Sequence, residues 1–201
     1  MLKKYGTYAA LAAVIILGMA PPVYAQTKAF KKFYVYKDKG YLNHFEASGF
    51  MPDGRCVALD DAWTKNCGGR ESCIKADFDR DCSALGTGWA GVFWLSPANN
   101  WGDEKGGYNL TGAKKLVFWA RGEKGGEVVT FKMGGVGMGH QYPDSDSASS
   151  GPITLTKDWK KYSIDLAGKD LSYISGGFAW VGRVKENQSN ITFYLADIYY
   201  E

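Results

Sequence analysis

The sequence predicts an all-β chain folded as a two-sheet antiparallel β-sandwich. Three observations predict it. Short runs of β-branched and aromatic residues recur with period two between clusters of Gly, Asn and Asp. Glycine supplies 26 of the 201 residues and aromatics 15%, the composition of sandwiches and barrels with glycine-rich turns. Long helical periodicity is absent beyond the N-terminal segment.

That segment is read first. Residues 1–25 have the layout of a secretory signal peptide. Lys3 and Lys4 form the positive end, "AALAAVIILGMA" the apolar run, and "VYA" ending at Ala25 the cleavage signal. The apolar run is short for a membrane span, and no later run is long enough for one. The expectation is a secreted or periplasmic protein with no transmembrane span after cleavage, and one β-sandwich domain over 26–201. The formal charge is +3, from 24 basic and 21 acidic residues. With no basic block, this near-neutral balance argues against nucleic acid as a partner.

The elements follow in order. "KKFYVYKD" (31–38) and "YLNHFEASGF" (41–50) are the first two candidate strands. "ESCIKADFD" (71–79) alternates Ile74, Ala76 and Phe78 against Cys73, Lys75 and Asp77. "GWAGVFWL" (88–95) follows. "KKLVFWARG" (114–122) sets Leu116, Phe118 and Ala120 against Val117, Trp119 and Arg121. "GEVVTFKMGG" (126–135) sets Val129, Phe131 and Met133 against Val128, Thr130 and Lys132. "WKKYSIDL" (159–166) places Tyr162, Ile164 and Leu166 together. "GGFAWVG" (176–182) and "ITFYLADIYYE" (191–201) close a set of about nine strands. Residues 134–152 read as a long surface loop that could overhang one sheet.

Cys56, Cys67, Cys73 and Cys82 are an even number in a chain expected to be exported. They predict two disulfides with three pairings open, and their spacing lacks the CxxC pairs of a zinc site.

"PANNWG", "GGYNLTGAKKLVFWARGEKGGEVVTFKMGG", "ITLTKDWKKYSIDLAGKDLSYISGGFAWV" and "FYLADIYYE" resemble the galactose-binding-domain-like β-jelly-roll modules of exported bacterial proteins, many of them carbohydrate-binding modules. "ASGFMPDG" is similar to their opening segment. The resemblance spans roughly residues 40–201. It implies a two-sheet jelly roll, often with a structural calcium ion and in some members a sugar site. By the same resemblance the calcium ligands would be Glu46 and Asp197, with Asn43 and Asp53 as lesser additions. The sequence departs from the modules at Ala196, where they often carry the first residue of an Asp-Asp pair.

No GxSxG, HExxH or P-loop pattern occurs, and the two histidines, His44 and His140, are far apart. The leading expectation is therefore non-catalytic carbohydrate binding. Sugar rings stack on aromatic faces, while Asn, Arg and Lys meet their hydroxyls. Trp94, Asn99, Asn100, Trp101, Trp119, Arg121, Lys132 and Trp180 are the candidate ligand contacts. Tyr142, Asp144 and Asp146 would overhang them. For any single Trp, packing in the core is the commoner fate. Val92, with Trp89 or Phe93, is expected in the core, and Trp94 with Trp101 nearer the surface. Two alternatives stand beside this reading. One is an envelope domain whose exposed face meets another protein. The other is a glycan-active enzyme, which needs two carboxyls across one cleft.

Overall fold

The computed structural model describes Met1 and residues 30–40, 42–52 and 54–201. The signal-peptide segment, Tyr41 and Asp53 lie outside the described residues.

Eleven strands and one short helix follow in the order β1 (Phe33–Tyr36), β2 (Glu46–Met51), β3 (Val57–Trp63), β4 (Cys73–Phe78), α1 (Arg80–Ala84), β5 (Trp89–Leu95), β6 (Lys115–Gly122), β7 (Val128–Gly134), β8 (Ser147–Thr154), β9 (Lys160–Asp165), β10 (Gly176–Arg183) and β11 (Ile191–Tyr200). They form two antiparallel sheets. One runs β3-β4-β11-β6-β9, with β1 also paired to β11; the other runs β2-β5-β10-β7-β8. Among the described residues no helix is long and apolar enough to cross a membrane.

The expected alternation positions the core. Leu116, Phe118 and Ala120 of β6 face Phe131 and Met133 of β7 across the sandwich, with Ile74, Ala76 and Phe78 of β4 on the β6 side. Aromatic rings cross between the sheets: Phe118 meets Phe131 at 4.5 Å and Trp180 meets Phe193 edge-on at 5.0 Å. Such rings supply large buried area with fixed geometry.

Three elements differ from the sequence expectation. β3 carries only scattered apolar residues and is largely exposed, so it has no alternation to read. β8 occupies the second half of the expected loop. Its sequence "SASSGPIT" has weak strand propensity, and pairing with β7 supplies the order. α1 is five residues long and is capped by Asp79, whose carboxylate accepts from the Cys82 N–H.

Both disulfides form, Cys56–Cys82 and Cys67–Cys73. The first ties the turn before β3 to α1. The second closes the loop between β3 and β4.

Candidate functional site

The outer face of β2-β5-β10-β7-β8 is built from rows that run across the strands. One row is Gly49, Phe93, Ala179 and Lys132. The next is Met51, Gly91, Val181 and Thr130, and beyond it Trp89 pairs with Arg183. Small residues at Gly49, Gly91 and Ala179 keep the middle of the face low. Larger side chains rise around it, leaving a depression of about 260 Å³ lined by Met51, Trp89, Phe93, Lys132, Val181 and Arg183.

Trp101 stands at one end. Its ring meets Phe93 edge-on, with centroids 6.2 Å apart and planes at 90°. Gly49 makes that position possible: a Cβ there would lie 3.0 Å from the Trp101 ring and 2.9 Å from Phe93. Trp101 is held by its loop. Asn100 is buried, and its Oδ1 accepts from the backbone N–H groups of Gly102, Asp103 and Glu104 at 2.9, 3.1 and 3.1 Å. Its Nδ2 donates to the Glu104 carbonyl at 2.7 Å. The rim is polar. Arg183 donates to the Thr130 hydroxyl at 3.0 Å, and its guanidinium lies 3.9 Å from Glu186. The face thus joins aromatic edges and an apolar floor to fixed donors, the combination that holds a polyhydroxylated ring.

The outer face of the other sheet also carries aromatics, but they are covered by the protein itself. Arg70 lies over Trp119 at 5.0 Å and over Trp159 at 5.2 Å. Arg121 lies over Tyr194 at 4.0 Å. The indole N–H groups of Trp63 and Trp159 donate to the carbonyls of Lys65 and Asn66. Burial pushes the Tyr194 phenol up to about 12, with Glu123 beside it acting in the same direction. This cluster packs around the Cys67–Cys73 disulfide and keeps the faces of its rings stacked on cations.

The structure divides the sequence candidates. Trp101 and Lys132 share the face of the depression, with Asn99 exposed on the adjoining loop. Trp119 and Arg121 lie on the opposite side of the molecule, because the β6–β7 connection crosses between sheets. Equal strand phase therefore does not mean a common face. Trp94 and Trp180 are corrections: both fill the core, at 2% and 0% exposure. Asn100 organises its loop instead of facing a ligand. Trp89 and Phe93 lie on the outer face, contrary to expectation. Period two already contained this result, since Val92 and Trp94 share one side and Trp89, Phe93 and Leu95 the other. Arg183 and Met51 were missed because neither stands in an aromatic-amide cluster. Asp144 and Asp146 do not overhang the depression. Asp144 accepts from the Val136, Ser175 and Gly176 N–H groups, and Asp146 pairs with Lys169.

The calcium ligands implied by the resemblance are not brought together. Glu46 is exposed on β2. Asp197 is on β11 of the other sheet, where Arg70 Nε donates to its carboxylate at 2.5 Å beneath Trp119. The sandwich separates the two carboxylates, and the guanidinium already neutralises one of them. No group of three His, Cys, Asp or Glu residues suited to a metal occurs among the described residues. These residues do not fit a shared calcium ion.

No protein-family model and no curated protein matches the chain. Solved structures match its fold. A family 30 carbohydrate-binding module superposes with a TM-score of 0.54 at 16% identity, covering 85% of this chain and 98% of that one. The family 11 module of a cellulosomal cellulase of Clostridium thermocellum gives 0.56 at 12% identity, over 86% and 95%. A family 11 module from the same organism, in complex with a β-1,3-1,4-mixed-linked tetrasaccharide, gives 0.53 at 12% identity, over 86% and 96%. At these identities the likeness is one of fold: the chain has the jelly-roll β-sandwich of these carbohydrate-binding modules.

Proposed function

We propose that the protein is exported and binds a carbohydrate without transforming it, on the outer face of β2-β5-β10-β7-β8. One observation carries the proposal. Trp101 stands at one end of a low, apolar trough floored by Phe93 and Val181, with Lys132 and Arg183 on its rim, while the aromatics of the opposite face are covered by arginines. A sugar ring would lie against Trp101 and the floor at Phe93 and Val181. Lys132 and Arg183 would meet its hydroxyls. The modules of the same fold support the class of ligand. The two disulfides support an oxidising compartment outside the cytoplasm.

The test is binding of the purified chain to a panel of soluble glycans and insoluble polysaccharides. Saturable binding to one glycan class is expected. Trp101→Ala is expected to weaken it by about tenfold or more, as for loss of a central aromatic contact. Lys132→Ala is expected to weaken it less. Unchanged binding by a folded Trp101→Ala protein would show that this face is not the site. No binding by the folded wild type would favour the envelope-protein alternative.

A further inference from the structure

The depression continues beyond the sheet. Past Trp89 the surface opens into a larger one of about 570 Å³, walled by Pro52, Cys56, Cys82, Ser83, Leu85 and Thr87. Two walls are continuous between the depressions. Trp89 lines both, and Met51 of the first is followed directly by Pro52 of the second.

The second depression is built firmly. Its base is the Cys56–Cys82 disulfide, which fixes α1 against the turn before β3. The turn after α1 is tied back by three bonds. Leu85 N–H donates to the Cys82 carbonyl, and Gly86 and Gly88 N–H donate to the Ser83 carbonyl, at 3.2, 3.1 and 2.9 Å. These bonds hold Leu85 outward, 93% exposed. Ser83 itself is 2% exposed, and its hydroxyl has no hydrogen-bond partner in the structure. The place thus offers an apolar wall, a fixed leucine and the Trp89 ring at the junction.

We propose that a single glycan chain occupies both depressions. It runs along β5 from Trp101 past Phe93 and Trp89 to Leu85. This inference depends on the sheet-face reading and adds a second binding region that selects for chain length. Phe93 and Trp89 are four residues apart on one strand, about 13 Å at ~3.3 Å per residue. A short oligosaccharide fills the sheet face alone. A longer one reaches Leu85 and gains contacts there without a new entropic cost of association.

Calorimetric titration tests this with cello-, manno-, xylo- and mixed-linked gluco-oligosaccharides, each from disaccharide to hexasaccharide, and with the parent polysaccharides. The expected result is affinity that keeps rising to the longest member of the series that binds. Leu85→Asp alters a side chain that packs against nothing, so its melting temperature should match wild type. It is expected to lose about fivefold or more on the longest oligosaccharide and nothing on the shortest bound one. Trp101→Ala should weaken both. Movement of the Leu85 methyl resonances with long but not short ligands is the companion signature. Binding in which Leu85→Asp matches wild type at every length, or is weakened equally at every length, would overturn the second region and leave the sheet-face reading standing. No binding to any member or polysaccharide would overturn both.

Discussion

Asn100 shows how one side chain can set the position of another. Its carboxamide oxygen accepts three successive N–H groups, and its NH₂ group returns to Glu104. Those contacts replace water for backbone that is otherwise unpaired in the loop, and they fix where Trp101 leaves it. Losing a buried acceptor strands its donors, at about 1–3 kcal/mol. Asn100→Ala is therefore expected to lower unfolding free energy by about that amount and to weaken glycan binding through the displaced tryptophan. Asn100→Asp keeps the acceptor but loses the donor to the Glu104 carbonyl and sets two oxygens against each other, so it should recover only part of the stability. Chemical unfolding beside glycan titration separates the two effects. Equal stability of Asn100→Ala and wild type would show that the loop is held by other contacts.

At the scale of the element, β5 is decisive. Its two sides carry comparable apolar character, Ala90, Val92 and Trp94 against Trp89, Phe93 and Leu95. Composition alone does not say which side is the core. β2 and β10 on either side of it settle the matter: Trp94 meets Phe178 inside, and Phe93 meets Trp101 outside. The disulfides act on neighbouring elements in unequal ways. Cys56–Cys82 spans 26 positions and Cys67–Cys73 spans 6. Chain entropy predicts a larger loss when the longer loop is opened, about 3.5 kcal/mol against about 2.2 kcal/mol. Paired Cys→Ala variants, compared by chemical unfolding, should show that order. The Cys67–Cys73 loop also carries Arg70 to Trp119 and Trp159, so a reversed order would show that this cation–aromatic packing outweighs the entropic term.

Over the whole molecule, the two sheets are joined by packing and by one buried phenol. Tyr200 of β11 is fully buried and donates to the Gly177 carbonyl of β10 at 2.6 Å. Burial raises its pKa well above the ordinary 10.0, and Asp144 adds to the effect. Burial also pushes Tyr36 up to about 12, against the opposing hydrogen bond from Ser72, while its hydroxyl donates to the Asp61 carbonyl. In the unfolded chain these phenols ionise near pH 10.0. The folded chain holds their protons longer. Their contribution to stability is thus complete below pH 10; that of Tyr36 is lost as pH rises through about 12, and that of Tyr200 is also lost above pH 10. Melting temperature is expected to fall across that window. Tyr200→Phe should flatten the fall. A Tyr200→Phe chain whose melting temperature falls as steeply as that of wild type would contradict this linkage.

The sequence by itself determined the fold class and most strand phases. Period two in β4, β6, β7 and β9 reports a sheet with one face buried, and burial of one face is a local property of each strand. It also determined that four cysteines would pair, though not how. Only the tertiary structure decided which outer face stays open. Trp119, with Arg121 two positions on, and Trp101, next to Asn100, are equal candidates in the sequence. Arg70, 49 positions before Trp119, covers one. Gly49, 52 positions before Trp101, makes room for the other. A ring's availability depends on what long-range packing lays against it, and strand periodicity carries no record of that partner. The candidate face is therefore assembled by strand order and sheet crossing, which bring Gly49, Phe93, Lys132 and Ala179 into one row from four separate strands.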